Sequence, residues 1–316
     1  MSRAEDSAHT IERMLAIKAL PLFSDVHPDE LAIVAEHAQV RRFRRGETLF
    51  SSTETPLTSI HLVLEGRVAE HRGGRLFRMH GPQQVVGGID ALALADADVA
   101  AVAEEETSTL VIERADLRDV LEDNFGVLSA TLQAVAAANL RMRRHLVPSA
   151  GFAEHADEGP DDPPLLQDLG ARIAFVRGHP WLRHASIRTL GQIARDADLV
   201  VLPDRERLWA EGDPADHAVL IVRGVVVCAT ADDRQRFEGG RGAILGLEEA
   251  LAMSARWCGA VTRGPVSLLR ITRAAVLDAL EDDPDTAVGT LAALASVASQ
   301  LRDHIARDTV GEAGQL

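Results

Sequence analysis

The chain has 316 residues, 46% of them hydrophobic, and a formal net charge of −15 at pH 7. This charge opposes binding to nucleic acid, which requires lysines and arginines collected on one face. No apolar run approaches the roughly 20 residues of a membrane span, and the first ten residues lack the basic and apolar parts of a signal peptide, so we expect a cytoplasmic protein with no nucleic-acid or membrane partner.

The sequence contains an internal repeat. Residues 114–123 (RADLRDVLED) return as residues 273–282 (RAAVLDALED), 159 positions later. A shift of about half the chain predicts two copies of one domain, each of an ordinary size for an independent fold. Upstream glycines repeat at a spacing of 158 instead, in the pairs Gly66/Gly224 and Gly88/Gly246. The second copy has therefore gained one residue between Gly246 and Val261.

The first copy begins with helices and continues with strands. Apolar residues recur at helical spacing over 11–20 and 29–38. From residue 40 to 112, short runs rich in Val, Ile, Leu and Phe are separated by glycines, a pattern typical of many short strands in a barrel or sandwich. Helical spacing returns over 114–146.

The second copy follows the same plan after a linker. Residues 148–164 are rich in Pro, Gly, Asp and Glu, which predicts a flexible acidic connection. Beyond it the pattern predicts helices over 165–176 and 186–197, strands over 199–271 and helices over 273–307. We therefore predict two domains, 11–147 and 165–308, on either side of the linker.

The last helix of each copy carries an apolar stripe with alternating steps of 4 and 3. Such a stripe buries one narrow face of the helix, either on its own domain or on a partner helix. A homodimer that pairs through these helices is therefore one of two alternatives. The single polar member, Asn139, either fixes the register between paired helices or marks a solvated part of the stripe, which we favour. The stripe residues are Leu128, Leu132, Val135, Asn139, Met142 and Leu146 in the first copy, and Ala287, Leu291, Leu294, Ala298, Leu301 and Ile305 in the second.

The order of helices, glycine-punctuated strands and long helices resembles the cyclic nucleotide-binding domain of catabolite activator protein and of protein kinase A regulatory subunits. The resemblance implies mixed α and β structure, with two β-rolls of the jelly-roll type, each flanked by N-terminal helices and a long C-terminal helix. It is carried in the first copy by residues 20–23 (LPLF), 29–31 (DEL), 43–50 (FRRGETLF) and 61–68 (HLVLEGRV), and in the second by 202–209 (LPDRERLW) and 218–226 (AVLIVRGVV).

In that family a short segment, the phosphate-binding cassette, reads G-E-(L/I)-A-L, with an arginine about nine residues after the Glu and then A-A-(T/S)-V. The resemblance implies that backbone N–H groups and the arginine bind the cyclic phosphate, while the Glu accepts the ribose hydroxyl. In the first copy, Ile89 replaces the Glu and Asp98 replaces the arginine. An aspartate facing a phosphate is repulsive, so we expect this cassette to be degenerate. Its aligned residues are Gly88, Ile89, Asp90, Ala91, Asp98, Val99 and Ala100.

The cassette of the second copy is ambiguous. Leu247 replaces the Glu, and Arg256 follows nine residues later, but the segment up to Val261 is one residue too long. Either Arg256 reaches the pocket through a bulge, or Trp257 fills the pocket and excludes a ligand, which we favour. The candidate ligand-binding residues are Gly246, Leu247, Glu248, Glu249, Ala250, Arg256, Trp257, Cys258, Gly259 and Ala260.

Other candidate sites carry less weight. His61, His80 and His217 lack a second ligand at metal spacing and are interpreted as structural or surface histidines, and no metal is expected. Cys228 and Cys258 are expected to be buried, inert thiols. The arginines at 41, 42, 44 and 45 are expected at a solvated strand edge, and residues 282–285 at a helix-capping turn. No nucleophile-and-base or phosphate-loop motif is present, so we expect no enzyme.

These observations favour a non-enzymatic regulatory protein that acts by protein–protein interaction with an unidentified effector and needs no cofactor. The alternative is a sensor that binds cyclic AMP, cyclic GMP or another small anion through the second copy, with Arg256 as the phosphate partner. A relative that controls transcription would carry a helix-turn-helix after the final helix, for which we expect no room beyond residue 307.

Overall fold

The computed structural model describes residues 3–52, 57–93, 98–144, 168–182 and 185–313. Leu146 of the apolar stripe and the predicted linker lie outside the described residues. The chain forms two compact units: unit 1 comprises Met1–Thr131 and Leu291–Leu316, and unit 2 comprises Leu132–Thr290. The divisions fall inside the last helix of each copy, so the units are not the same as the predicted limits 11–147 and 165–308.

Unit 1 contains the β-roll of the first copy. In the described part of this unit, eight antiparallel strands form two four-stranded sheets, with the orders β1-β8-β3-β6 and β2-β7-β4-β5. The elements, in chain order, are α1 (Arg3–Lys18), a 3-10 turn (Pro21–Phe23), α2 (Pro28–His37), β1 (Gln39–Phe43), β2 (Thr48–Ser51), β3 (Ser59–Glu65), β4 (Val68–Arg72), β5 (Arg75–His80), β6 (Val85–Val86), α3 (Gly88–Ala93), β7 (Val99–Ala103), β8 (Thr107–Glu113), α4 (Arg114–Asp123) and α5 (Phe125–Arg143), which continues into unit 2. The expected mixed α and β fold is confirmed.

The turn between β3 and β4 depends on a glycine. Gly66 has a φ of +86°, and a Cβ on it would lie 2.5 Å from the Thr107 hydroxyl and 2.6 Å from the carbonyl oxygen of Glu106. Only glycine combines this left-handed backbone with so close an approach. The turn thereby packs against the turn that joins β7 to β8, and this contact helps to close the roll.

Unit 2 contains the β-roll of the second copy, built around two long strands. Strand β11 pairs with β14 along most of its length, with irregular register near Arg223. Each long strand replaces two strands of unit 1. The elements are α6 (Leu169–Arg177), a 3-10 turn (Pro180–Leu182), α7 (Ile187–Asp196), β9 (Asp198–Leu202), β10 (Arg207–Trp209), β11 (His217–Ala229), β12 (Arg236–Gly239), β13 (Ile244–Leu245), α8 (Leu247–Leu251), β14 (Gly259–Thr272), α9 (Arg273–Glu281) and α10 (Pro284–Ala313), which continues into unit 1.

Polar side chains fix the beginnings of several helices. The Asp283 carboxylate accepts the backbone N–H of Thr286 at 3.1 Å, so the expected capping turn before α10 is confirmed. Burial would raise the pKa of Asp283, but its hydrogen bonds with Ser186, Thr189 and Thr286 outweigh burial and hold the pKa well below its usual range. Ser186 caps α7 in the same way through the N–H of Thr189.

The apolar stripes of α5 and α10 are largely buried. Leu128, Leu132, Val135, Ala287, Leu291, Leu294, Ala298 and Leu301 are buried, while Met142 and Ile305 are half-buried. Asn139 is fully buried, and its amide donates to the Glu248 carboxylate at 3.1 Å. Our interpretation of Asn139 as a solvated position is therefore wrong, because this carboxylate on α8 replaces water as its partner.

The arginines of β1 are exposed, whereas both cysteines are buried. Strand β1 lies at a sheet edge, where Arg41, Arg42, Arg44 and Arg45 are exposed, as expected. Both cysteines, Cys228 and Cys258, are buried among apolar side chains of unit 2. None of the described helices is both long enough and apolar enough to cross a membrane.

Candidate functional site

The cassette of unit 1 lies on helix α3 and faces an arginine from strand β4. Asp90 and Arg72 are both buried, and the guanidinium donates to the Asp90 carboxylate. Ser299 on α10 donates to the same carboxylate at 2.7 Å. Asp303, also on α10, accepts from the Arg72 guanidinium. The space beside this cassette thus contains a cation that belongs to the protein itself.

A second buried carboxylate extends this charge cluster. Glu70 contacts His80 at 2.7 Å, Arg302 at 3.4 Å and Arg72 at 3.6 Å. Burial alone would raise the pKa of Glu70, but the hydrogen bond with His80 and the charges of Arg302, His80 and Arg72 outweigh it and lower the pKa. The carboxylate therefore stays ionised among cations. We call Glu70, Arg72, Asp90, Arg302 and Asp303 the unit 1 charge cluster.

Asp98 lies outside this cluster. It is exposed, immediately before β7, and its carbonyl oxygen accepts the N–H of Gly73 at 3.0 Å. Ile89 is half-buried on α3. Of the acidic residues aligned with the cassette, Asp90 therefore belongs to the charge cluster and Asp98 does not. Ala91 and Val99 are buried in the apolar core, and Ala100 is half-buried.

The cassette of unit 2 lies on the short helix α8. Gly246 precedes this helix with a φ of +79°. Glu248 accepts from Arg143 at 2.8 Å as well as from Asn139, both on α5. The next residue, Glu249, is also buried, and this burial raises the pKa of its carboxyl. Leu247, Ala250 and Leu251 are buried on the same helix.

Arg256 is buried, and both of its terminal guanidinium nitrogens donate to groups of the protein itself. It is 1% exposed, and its guanidinium donates to the carbonyl oxygens of Gly246 at 3.2 Å and His217 at 2.7 Å. The guanidinium carbon also lies 4.0 Å from the centre of the Trp209 ring, a cation–π contact. The Arg256 backbone pairs with the loop before β11, through N–H to the carbonyl of Asp213 at 2.8 Å.

Trp257 lines the cavity beside this cassette. Its ring stacks on Phe237 with centroids 5.6 Å apart and planes 10° apart. The cavity measures about 60 Å³, well below the 300–1,000 Å³ of typical small-molecule sites. Its walls are formed by Arg143, Trp181, Trp209, Cys228, Phe237, Ile244, Leu245, Gly246, Leu247, Glu248, Glu249, Trp257 and Cys258.

The extra residue of the second copy is accommodated before strand β14. Met253 adopts a φ of +49°, and regular pairing resumes at Gly259. Val261 pairs with Arg207 and Ala260 with Trp209, the same register as their counterparts in unit 1. The insertion therefore lies in the stretch between Gly246 and Gly259, which contains Arg256 and Trp257, while the barrel register is unchanged.

The three histidines considered above have structural partners. His61 is buried between Ser59 at 3.2 Å and Thr109 at 3.1 Å, and its burial, with the charge of Arg41, lowers its pKa to about 4. His80 contacts Glu70, and His217 contacts Asp216 at 2.6 Å. Among the described residues, no three His, Cys, Asp or Glu side chains come together as metal ligands.

Comparison with known proteins identifies the repeated part of the chain. The family model described as "Cyclic nucleotide-binding domain" matches residues 40–124 and again 199–283, together more than half of the chain. None of the curated proteins matches the chain.

The chain also has similarity to solved structures. The regulatory subunit of a cAMP-independent protein kinase A from Trypanosoma brucei is 15% identical, with 89% of this chain and 90% of that chain covered and a TM-score of 0.35. The subunit from Trypanosoma cruzi bound to guanosine is 15% identical, with 90% and 91% covered and a TM-score of 0.34. A cyclic nucleotide-binding-like protein from Brucella abortus is 31% identical, with 35% and 97% covered and a TM-score of 0.31.

Proposed function

Since this chain belongs to the cyclic nucleotide-binding domain family in both of its copies, we propose that it is a non-enzymatic, cytoplasmic regulatory protein whose pockets no longer bind cyclic nucleotides. Its regulatory role then depends on protein–protein contacts with an effector. The two β-rolls and their long helices supply the scaffold, and no cofactor takes part.

The state of Arg256 is the observation that carries this proposal. A guanidinium that binds a phosphate must have donors directed at the ligand, whereas this one donates to two backbone carbonyls and covers an aromatic ring. Redirecting it would leave the carbonyls of Gly246 and His217 unsatisfied, at about 1–3 kcal/mol each. The cavity beside it, about 60 Å³, is far smaller than typical small-molecule sites, and the stacked rings of Trp257 and Phe237 form part of its wall.

Unit 1 supports the same proposal through its charges. Anion binding there would require a free cation, but Arg72 is already paired with Asp90 and Asp303. A phosphate would have to compete with these carboxylates and would lie close to Glu70. Repulsion between like charges in a buried site therefore opposes an anionic ligand.

Calorimetry with cyclic AMP and cyclic GMP tests the proposal. We expect no binding heat at roughly millimolar ligand, the weak end of useful affinity. Binding that the substitution Arg256→Ala abolishes would overturn the proposal and support a sensor acting through unit 2. Arg263→Ala is the matched control, because Arg263 is exposed and pairs with Glu238 on the surface.

A second variant tests whether Trp257 fills the pocket. Trp257→Ala should enlarge the cavity and admit a small aromatic molecule such as indole, as engineered apolar cavities of about 150 Å³ admit benzene. We expect indole to raise the melting temperature of this variant and not that of the wild type. If indole stabilises neither protein, Trp257 does not fill an otherwise open pocket.

A further inference from the structure

The two last helices carry an arginine at equivalent positions. Arg302 on α10 follows Arg143 on α5 by 159 residues, the offset between the copies. The third cassette position carries a carboxylate in both copies, Asp90 on α3 and Glu248 on α8, which are 158 residues apart like the neighbouring glycines. The repeat thus preserves an arginine on the last helix and a carboxylate in the cassette, although neither copy has the glutamate that the family resemblance implies for ligand binding.

These equivalent groups meet in both units. In unit 2, Arg143 makes a bidentate contact with Glu248, donating through Nε at 2.8 Å and Nη2 at 3.3 Å. In unit 1, Arg302 lies 3.6 Å from Asp90 and 3.4 Å from Glu70. In both cases the arginine belongs to one copy and the cassette to the other.

Neighbouring residues reinforce each contact. Asn139, one helical turn before Arg143, donates to Glu248. On α10, Ser299 donates to Asp90 at 2.7 Å, and Ser296 donates to the carbonyl oxygen of Ala93 at the end of α3 at 3.1 Å. Each last helix therefore contacts the cassette of the other copy along at least one turn.

We propose that these contacts are a reciprocal latch: each copy's last helix is held on the other copy's cassette by an arginine–carboxylate pair that needs no ligand. The pairs are largely buried, where they are poorly screened by salt. Removing Arg143 would take the guanidinium away from the buried Glu248 carboxylate, which is costly. Removing Arg302, by contrast, would leave Asp90 with Arg72 as its remaining cation. The latch does not depend on whether either cassette binds a nucleotide.

The reciprocal arrangement predicts that a change in one copy's last helix affects the other copy's barrel. We therefore replace each arginine by methionine, which keeps much of the apolar stem and removes the charge, and follow amide hydrogen exchange in the full chain. Arg143→Met should accelerate exchange in α8 by roughly tenfold, as expected for the loss of a charged hydrogen bond, and leave α3 unchanged. Arg302→Met should accelerate exchange in α3 and leave α8 unchanged.

Two further variants separate the latch from general damage. Arg141→Met, at an exposed position on the same helix as Arg143, should change exchange in neither segment. Arg143→Lys keeps the charge and should restore part of the protection of α8. Faster exchange in α3 with Arg143→Met and in α8 with Arg302→Met would overturn the proposal, as would no change in either variant.

A cleavage experiment provides an independent readout should the methionine variants fail to fold. A specific protease site placed within residues 148–164 allows the folded chain to be cut into its two halves. The halves should elute together in native buffer and separate only in denaturant, because each unit contains segments from both. Separation in native buffer would contradict the reciprocal latch.

Discussion

The substitution Arg256→Ala measures how much the Arg256 side chain contributes to the stability of unit 2. It removes two charge-assisted hydrogen bonds, to Gly246 and His217, and the cation–π contact with Trp209. Each orphaned carbonyl costs about 1–3 kcal/mol, and the desolvated cation–π contact contributes about 2 kcal/mol. Relief from burying the guanidinium offsets several kcal/mol of this loss. We expect a net loss of about 3 kcal/mol in the free energy of unfolding.

Urea unfolding followed by tryptophan fluorescence is a suitable assay, because the three tryptophans, at 181, 209 and 257, all lie in unit 2. The midpoint should fall while the m-value stays constant. Arg256→Lys should have an intermediate effect, since a lysine keeps the charge but cannot match the planar fork of the guanidinium. The exposed control Arg263→Ala should cost less than about 1 kcal/mol. A loss as small as this for Arg256→Ala would refute the structural role.

Three more changes test other parts of the structure. Burial raises the pKa of Glu249, so its ionised form destabilises the folded state at neutral pH. Glu249→Gln removes this ionisation and should raise the melting temperature most at pH 7–8. A gain that fails to shrink toward pH 4.5 would contradict this explanation. The lowered pKa of His61, about 4, predicts a stability loss of about 3 kcal/mol as the pH falls from 6.5 to 4, which His61→Gln should remove in pH-dependent denaturation. In thermal denaturation, Gly66→Ala should cost about 1–3 kcal/mol more than Gly74→Ala, because Gly74 shares the positive φ but has open space; equal losses would exclude the clash with Thr107.

The order of elements could be predicted because each depends on local patterns. The glycine-separated apolar runs predicted the β-rolls, and the 4-3 stripes predicted which helix faces are buried. A stripe indicates that a face is buried and not which barrel covers it. The division at Thr131 and Thr290 could therefore not be predicted, because the stripes of both last helices fit either copy.

The candidate site could be predicted only in part. The residue count left Arg256 and Trp257 as the two candidates for the side chain that reaches the pocket of the second copy. It could not predict that the Arg256 guanidinium donates to backbone carbonyls while the Trp257 indole lines the cavity, because this depends on packing. The unit 1 charge cluster was missed, although a signal existed. Glu70 and Arg72 alternate with Val68 on the buried face of β4, and charges at inward positions of a strand call for partners.

Because unit 1 includes part of the second copy's last helix, its two pieces are synthesised at different times. Unit 2 is one continuous stretch, Leu132–Thr290, whereas unit 1 needs its first 131 residues and also Leu291–Leu316. A ribosome delivers the N-terminal part first, yet that part cannot acquire Ser299, Arg302 and Asp303 until α10 has been synthesised. The first barrel to be made is thus the last to be completed, and until then the carboxylates of Glu70 and Asp90 lack their partners from α10.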